Sequence, residues 1–218
     1  MYSDNDYIFL GKVVEKISGI RMDEYALQNF YAPMHLQSMG YYPLQGKSIK
    51  DIAPTENEKI FRTQLIQGSV HAPDAVMIGG VAGHAGLFSN AYDLAAVMQL
   101  LLDGCCFNGK QYFKKQTVYL FTADLNNSSR RGFGFDKPEN DNATRKESYP
   151  SVKASPFTFG HRGFTGAWAW ADPTTQLVFI YLSNRIYPYV STTMLKLNVR
   201  GKIMDVLYDA TNTVYQAN

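Results

Sequence analysis

Apolar positions follow a helical period through the first part of the chain and an alternating one near its end. Leu10, Val13, Val14 and Ile17 recur at helical spacing behind Ser3 and Asp4, either of which offers a cap, and Gly19 supplies a stop. This predicts a helix over residues 7–18 with that stripe turned inward. A shorter helix over 22–31 would carry Met22, Tyr25, Ala26 and Phe30 inward and end before Pro33, whose ring cannot continue a helix. Residues 34–88 hold no sustained period and are rich in Gly, Pro and polar residues, which reads as an irregular section. Asn90 then caps a helix over 91–103, striped by Leu94, Val97, Met98, Leu101 and Leu102 and ended by Gly104. Residues 116–123 predict another helix, 131–137 a short strand, and 138–156 a long polar loop.

The segment 158–173, TFGHRGFTGAWAWADP, is where period two takes over. Trp168 and Trp170 fall on one face of a strand and Ala167 and Ala169 on the other. Asp172 and Pro173 stop that strand, and QLVFIYL (176–182) follows as a nearly unbroken apolar run, the mark of a strand covered on both faces. So short a connection makes the pair an antiparallel hairpin. Gly163 and Gly166 allow close backbone approach in the preceding turn, giving it the look of an active-site rim. The two tryptophans read as sheet-face packing rather than a substrate platform. A last helix over 194–210, with Leu195, Val199, Ile203, Val206 and Leu207 on one face, is expected to cover the sheet. Helices first, then an antiparallel sheet under a terminal helix, define an α+β fold.

Composition narrows the classes. A hydrophobic content of 45% over 218 residues is enough to bury a core, which excludes a disordered chain. The formal charge of +2 comes from 21 basic and 19 acidic side chains without a basic run, so nothing points to nucleic acid. No stretch has the length of a transmembrane span, and the polar Tyr2-Ser3-Asp4-Asn5 after Met1 is not a signal sequence. That leaves a cytosolic protein or a piece of something longer. Adjacent Cys105 and Cys106 read as unpaired thiols, because a bridge between neighbours is strained.

Several site types fail on spacing. Gly46-Lys47-Ser48 has Tyr41 where a phosphate-binding loop needs glycine, and Gly80, Gly83 and Gly86 have neither a leading strand nor a following acidic residue for a dinucleotide. Of the four histidines, His35, His71, His84 and His161, none is paired at i and i+4 and no Cys-x-x-Cys accompanies them, so no metal and no cofactor is expected. His84, inside GGVAGHAGLFS, reads as a histidine whose ring nitrogens satisfy loop backbone groups.

Several stretches taken in order resemble the penicillin-recognising serine hydrolases, which comprise class C type β-lactamases, DD-peptidases and related esterases. Tyr2-Ser3-Asp4, followed by DYIFLGKVVEKISGIRMDEY, is similar to the family's Tyr-x-Asn motif and the helix pair after it. APMHLQSMG resembles the Pro-Leu-Gly-Met turn, and VHAPDAVMIGGVAGHAGLFSNAYDL resembles the glycine-rich segment of the esterase branch. GHRGFTGAWAWADP with LVFIYLSNR is similar to the third motif, Lys/His-Thr/Ser-Gly, on its strand. The resemblance implies a β-lactamase/transpeptidase-like fold: an antiparallel sheet packed with helices plus a mostly helical subdomain, without the family's N-terminal strands. Residues 1–218 then form a single partial module, with 1–130 mostly helical and loop and 131–218 the sheet and terminal helix.

Carried over by position, the resemblance implies Tyr2 as general base or proton relay, Asp4 in place of the substrate-binding Asn, and His161 as the polar donor of the third motif. It likewise implies the Phe164 N–H as one oxyanion arm, with Gly163 at the substrate; Arg162, a departure from the family, either binds a substrate carboxylate or points to solvent. Taken alone, Tyr2 is an anchoring aromatic near the chain start and His161 a strand-end histidine. Asp4 accepts where Asn also donates, and Arg162 is long and cationic where the family has a small hydroxyl residue. The family's nucleophile is the serine of Ser-x-x-Lys, and no Ser-x-x-Lys occurs in these 218 residues. Without that serine and lysine no acyl-enzyme forms. The expectation is therefore the C-terminal portion of a serine hydrolase acting on an ester or amide, inactive alone, with the parent protein in the periplasm or cell envelope. The alternative is a non-catalytic accessory module of a larger envelope hydrolase such as a glycoside hydrolase, joined to an upstream catalytic domain.

Overall fold

Ser3 sits extended, with φ −143°, ahead of helix α1 (Asp4–Ser18), and Asp4 and Asp6 in the first turn complement the positive end of the helix dipole. Gly19, left-handed at φ 76°, ends it. This computed structural model describes residues 2–124 and 129–216. The predicted stripe of α1 does not turn inward: Leu10, Val13 and Ile17 are exposed, and the buried position is Gly11, where the helix meets the loop at Gly83. Helix α2 (Met22–Ala26) passes into a π-turn over Leu27–Tyr31, together filling the predicted 22–31 helix.

The section expected to be irregular holds a hairpin, β1 (Pro54–Asn57) with β2 (Leu65–Gln67), and a short helix α3 (Pro73–Met77). The hairpin loop is built by one carboxylate: Glu58 accepts from the backbone N–H groups of Ile60, Phe61, Arg62 and Thr63. Those bonds, Phe61's first, bring its pKa down to about 2. No glycine or asparagine marks this turn, which is why the pattern of apolar positions missed it.

Helix α4 (Ala91–Leu102) starts as expected, with Asn90 Oδ1 accepting from the Asp93 N–H at 2.8 Å, and Gly104 follows it at φ 76°. Strands β3 (Cys106–Phe107) and β4 (Lys110–Gln111) make a two-residue hairpin around Asn108-Gly109, both left-handed. That Asn-Gly pair is a strong hairpin signal which the reading of the pattern passed over. Both cysteines are free thiols, Cys105 buried and Cys106 exposed. Helix α5 (Lys115–Thr122) matches its prediction. Residues 131–137 are not a strand. Arg131 and Asp136 form one bridge across a glycine turn, and Asp136 makes a second to Gly160.

The sheet comprises β5 (Phe159–Arg162), β6 (Trp168–Asp172) and β7 (Leu177–Tyr181), antiparallel, with β6 central. Both faces of β7 are covered, as its apolar run predicts. Phe179 packs with Trp168, Trp170, Met204 and Tyr208, while Val178 and Ile180 pack with Met98, Phe159 and Ala171. The terminal helical stretch is broken: α6 (Thr193–Lys196) and α7 (Val199–Gln216) are separated at Asn198, which is left-handed at φ 47°. The chain divides into two compact units, Met1–Asp93 with Asn184–Val190, and Leu94–Ser183 with Ser191–Asn218.

Helix α7 covers the sheet with a different face from the one its leucines and valines suggest. Arg200, Met204 and Tyr208 are buried, while Val206 is 66% exposed. Two polar anchors select that face: Tyr208 OH donates to Asp172 Oδ2 at 2.8 Å, and Arg200 Nη1 to the Gly166 carbonyl at 3.0 Å. Tyr208→Phe, which leaves the buried Asp172 carboxylate one donor short, is expected to cost about 2 kcal/mol in urea unfolding. Val206→Ser should change stability by under about 0.5 kcal/mol.

Candidate active site

Within the sheet unit, the rim is the turn between β5 and β6. Register pairs Arg162 with Trp168, so residues 163–167 close the turn, with Gly163 N–H donating to Ala167 O at 2.7 Å. The turn is tied from beneath at Gly166, whose carbonyl accepts from Ser183 Oγ at 2.9 Å as well as from Arg200. Gly160 is obligatory: a Cβ there would stand 2.3 Å from the Ala169 carbonyl and 2.5 Å from the Trp170 ring. Phe164 lies in the turn and is 62% exposed.

Strand alternation separates two of the predicted residues. Arg162 points to the face of Trp168 and Trp170, and its guanidinium lies 5.3 Å from the centre of the Tyr149 ring. His161 points to the opposite face, that of Phe159 and Ala169. Tyr149 also carries Arg130 at 4.6 Å and meets both tryptophans edge-on. Its hydroxyl donates to Asp136 Oδ2 at 2.8 Å, and Asp136, fully buried, is paired with Arg131 at 2.6 Å. Burial first, then the Asp136 carboxylate, pushes the Tyr149 pKa above its ordinary value. A cleft of about 460 Å³ opens here, lined by Arg130, Glu139, Arg145, Tyr149 and Arg162 among others. Arg130 and Arg145 are paired with Glu139 at 3.1 and 2.9 Å, whereas no ion pair of Arg162 occurs among the described residues. Asp136 and Tyr149 escaped the sequence reading because each sits in a segment without periodicity.

In the other unit, Tyr2 is 39% exposed, with its ring 5.5 Å from that of Tyr7, and Asp4 is the first residue of α1. The glycine-rich segment folds back in a turn closed by reciprocal Ala82 and Ala85 backbone bonds, with Gly83 and His84 at its tip. His84 corrects the expectation that loop backbone satisfies its ring: neither nitrogen makes a hydrogen bond. It sits instead beside two carboxylates, and donor atoms of Asp4, Asp74 and His84 lie within 4.8 Å of one another. Asp74 was not singled out from the sequence, where it is one polar residue ahead of the glycines.

A profile described as Beta-lactamase matches residues 1–200. The chain belongs to the beta-lactamase family. Among curated relatives it is 36% identical over 197 residues to a protein of Escherichia coli K12 named "Putative D-alanyl-D-alanine carboxypeptidase", covering 85% of this chain and 45% of that one. A Salmonella typhi protein of the same name is 34% identical over 211 residues, covering 91% and 48%. The chain thus spans about half the length of the curated relatives it matches. A beta-lactamase structure from Mycobacterium bovis superimposes with a TM-score of 0.62 at 18% identity, covering 97% of this chain and 64% of that one. The octameric penicillin-binding protein homologue of Pyrococcus abyssi gives 0.57 at 18%, covering 90% and 42%. These likenesses bear out the β-lactamase/transpeptidase-like α+β fold. Among the described residues no helix is long and apolar enough to cross a membrane.

His161 is a histidine whose protonation the fold disfavours. Burial disfavours its cation and lowers its pKa from the usual 6.5, Asp136 acts in the opposite sense, and Arg131 adds to the lowering. A histidine depressed in the folded state supplies stability above the unfolded value that is lost as pH falls through the folded one. A proton NMR titration should place the His161 midpoint below about 6.5, and His161→Gln should flatten the loss of stability between neutral and mildly acidic pH.

Proposed function

We propose that this chain is the motif-bearing C-terminal portion of a serine hydrolase that cleaves an ester or amide through an acyl-enzyme. The substrate class suggested by the relatives' name is a peptide ending in D-alanyl-D-alanine. The observation that carries this is the β5–β6 turn: a His-Arg-Gly in third-motif position, clamped at Gly166 by Ser183 and Arg200 so that its backbone is set before substrate arrives. Tyr2 serves as base or relay and the Phe164 N–H as oxyanion donor. Arg162, braced on Tyr149, is the receptor for a substrate carboxylate. The nucleophilic serine and its lysine lie in the part of the relatives' length that these residues do not span. The protein works in the periplasm or cell envelope.

The 218 residues alone should show no labelling by a fluorescent penicillin or a fluorophosphonate. Stoichiometric labelling of any residue would overturn the assignment of the nucleophile elsewhere. A longer product of the same gene carrying Ser-x-x-Lys should be labelled at that serine. In that longer protein Arg162→Ala should raise KM roughly tenfold or more with kcat little changed, since a charge-assisted bond to carboxylate contributes about 1.5–3 kcal/mol.

A second reading is favoured by one residue, Asp4. An ionised carboxylate there cannot donate to a substrate carbonyl, which suits a non-catalytic module attached to a larger envelope hydrolase. Absence of any Ser-x-x-Lys from the coding sequence ahead of Met1 would decide for it.

A further inference from the structure

We propose that Asp4, Asp74 and His84 form a binding site for one divalent transition cation of the zinc type. Three elements meet there: the first turn of α1, the start of α3, and the tip of the glycine-rich turn. Donor atoms of the three side chains already lie within 4.8 Å of one another. Donors about 2.1 Å from a common cation stand roughly 3 to 4 Å apart. Asp4 and Asp74 are both exposed, with the rotamer freedom to close that difference.

The histidine points to a ligand independently of the acids. Its side chain is 3% exposed, aimed at the carboxylates, and neither ring nitrogen is hydrogen-bonded. Buried polar atoms are almost always hydrogen-bonded, so a buried imidazole with no hydrogen bond to either nitrogen, set beside two carboxylates, points to a ligand. Nε2 lies 3.3 Å from Asp74 Oδ2 without the alignment of a hydrogen bond. Asp74 Oδ1 is committed to capping the Ala75 N–H at 2.9 Å, which leaves Oδ2 as the ligand atom.

The backbone holds this arrangement in place. A Cβ on Gly83 would stand 2.0 Å from the Tyr7 carbonyl, so the turn is pressed against α1 at a contact only glycine permits. Asp4 is three residues before Tyr7 and therefore on the same side of the helix. His84, next to Gly83, is thus delivered beside Asp4. One imidazole and two carboxylates suit zinc, manganese or ferrous iron better than calcium or magnesium, which prefer all-oxygen shells. Two carboxylates offset the dication's charge, and the partial positive charge of the α1 terminus, about half a unit, opposes binding more weakly. Three protein donors leave coordination positions for water. The site does not depend on the hydrolase reading.

The test is zinc titration calorimetry on the chain freed of metal with EDTA, with cobalt(II) absorption as a second readout. One equivalent should bind per chain and raise the Tm. Asp74→Asn retains the Ala75 cap, and it and His84→Asn should each weaken zinc binding at least about tenfold, while Asp51→Asn should leave it unchanged. Three results would overturn the site: no binding, binding of equal strength in the Asp74 and His84 variants, or a cobalt spectrum with thiolate charge-transfer bands that assigns the cation to Cys106.

Discussion

A carboxylate with no access to solvent stands at the end of the central strand of the sheet, and the sheet unit is arranged around satisfying it. Asp172 accepts from the Ser155 N–H and Oγ, the Thr174 N–H and the Tyr208 hydroxyl. Burial raises its pKa, but these four bonds together outweigh that and hold the carboxyl below its usual range. A buried charge left without donors is far more costly than a lost apolar contact, and here the donors arrive from three separate segments. The end of the long polar loop, the β6–β7 turn and α7 are fixed to one point in this way.

The same demand decides which face of α7 goes inside. Its leucines and valines would serve as well by hydrophobicity, yet Tyr208 and Arg200 each bring a hydrogen-bond partner to a specific atom of the sheet, and apolar burial is non-directional. Arg200 also lies over the Trp168 ring at 4.5 Å, so the guanidinium that clamps the Gly166 turn is itself packed. The rim turn inherits its rigidity from this anchoring beneath it.

A second buried carboxylate, Asp136, plays a similar part on the side facing the cleft. It orients Tyr149, whose ring supports Arg130 and Arg162. The cleft is consequently a charged surface on an aromatic base, with the acids of the polar loop pairing Arg130 and Arg145 while Arg162 is held by the ring. In the other unit it is a contact rather than a charge that sets positions. Gly83 against the Tyr7 carbonyl fixes the glycine-rich turn to α1, and the first residue of the Tyr-x-Asn-like helix comes to share a small volume with His84 and Asp74.

Much of this was legible in the residues. The cap of α4, the stops of α1 and α4, the β6–β7 hairpin, both covered faces of β7, the free cysteines and the family itself follow from local signals: Asn90, Gly19 and Gly104 act on their own neighbours, and alternation in WAWAD and LVFIY needs no partner to be read. Segments whose order depends on one polar side chain reaching several backbone groups were not legible, as with Glu58 in the β1–β2 loop or Asp136 bridging 131–137 to β5. The inward face of α7 and the meeting of Asp4, Asp74 and His84 were settled by contacts between elements distant along the chain. Period and propensity act within a turn or a strand pair, so the sequence by itself determined the long helices, the β6–β7 hairpin and the family they belong to. Buried carboxylates and close backbone contacts act across the fold, and only they decided which faces turn inward and which side chains meet.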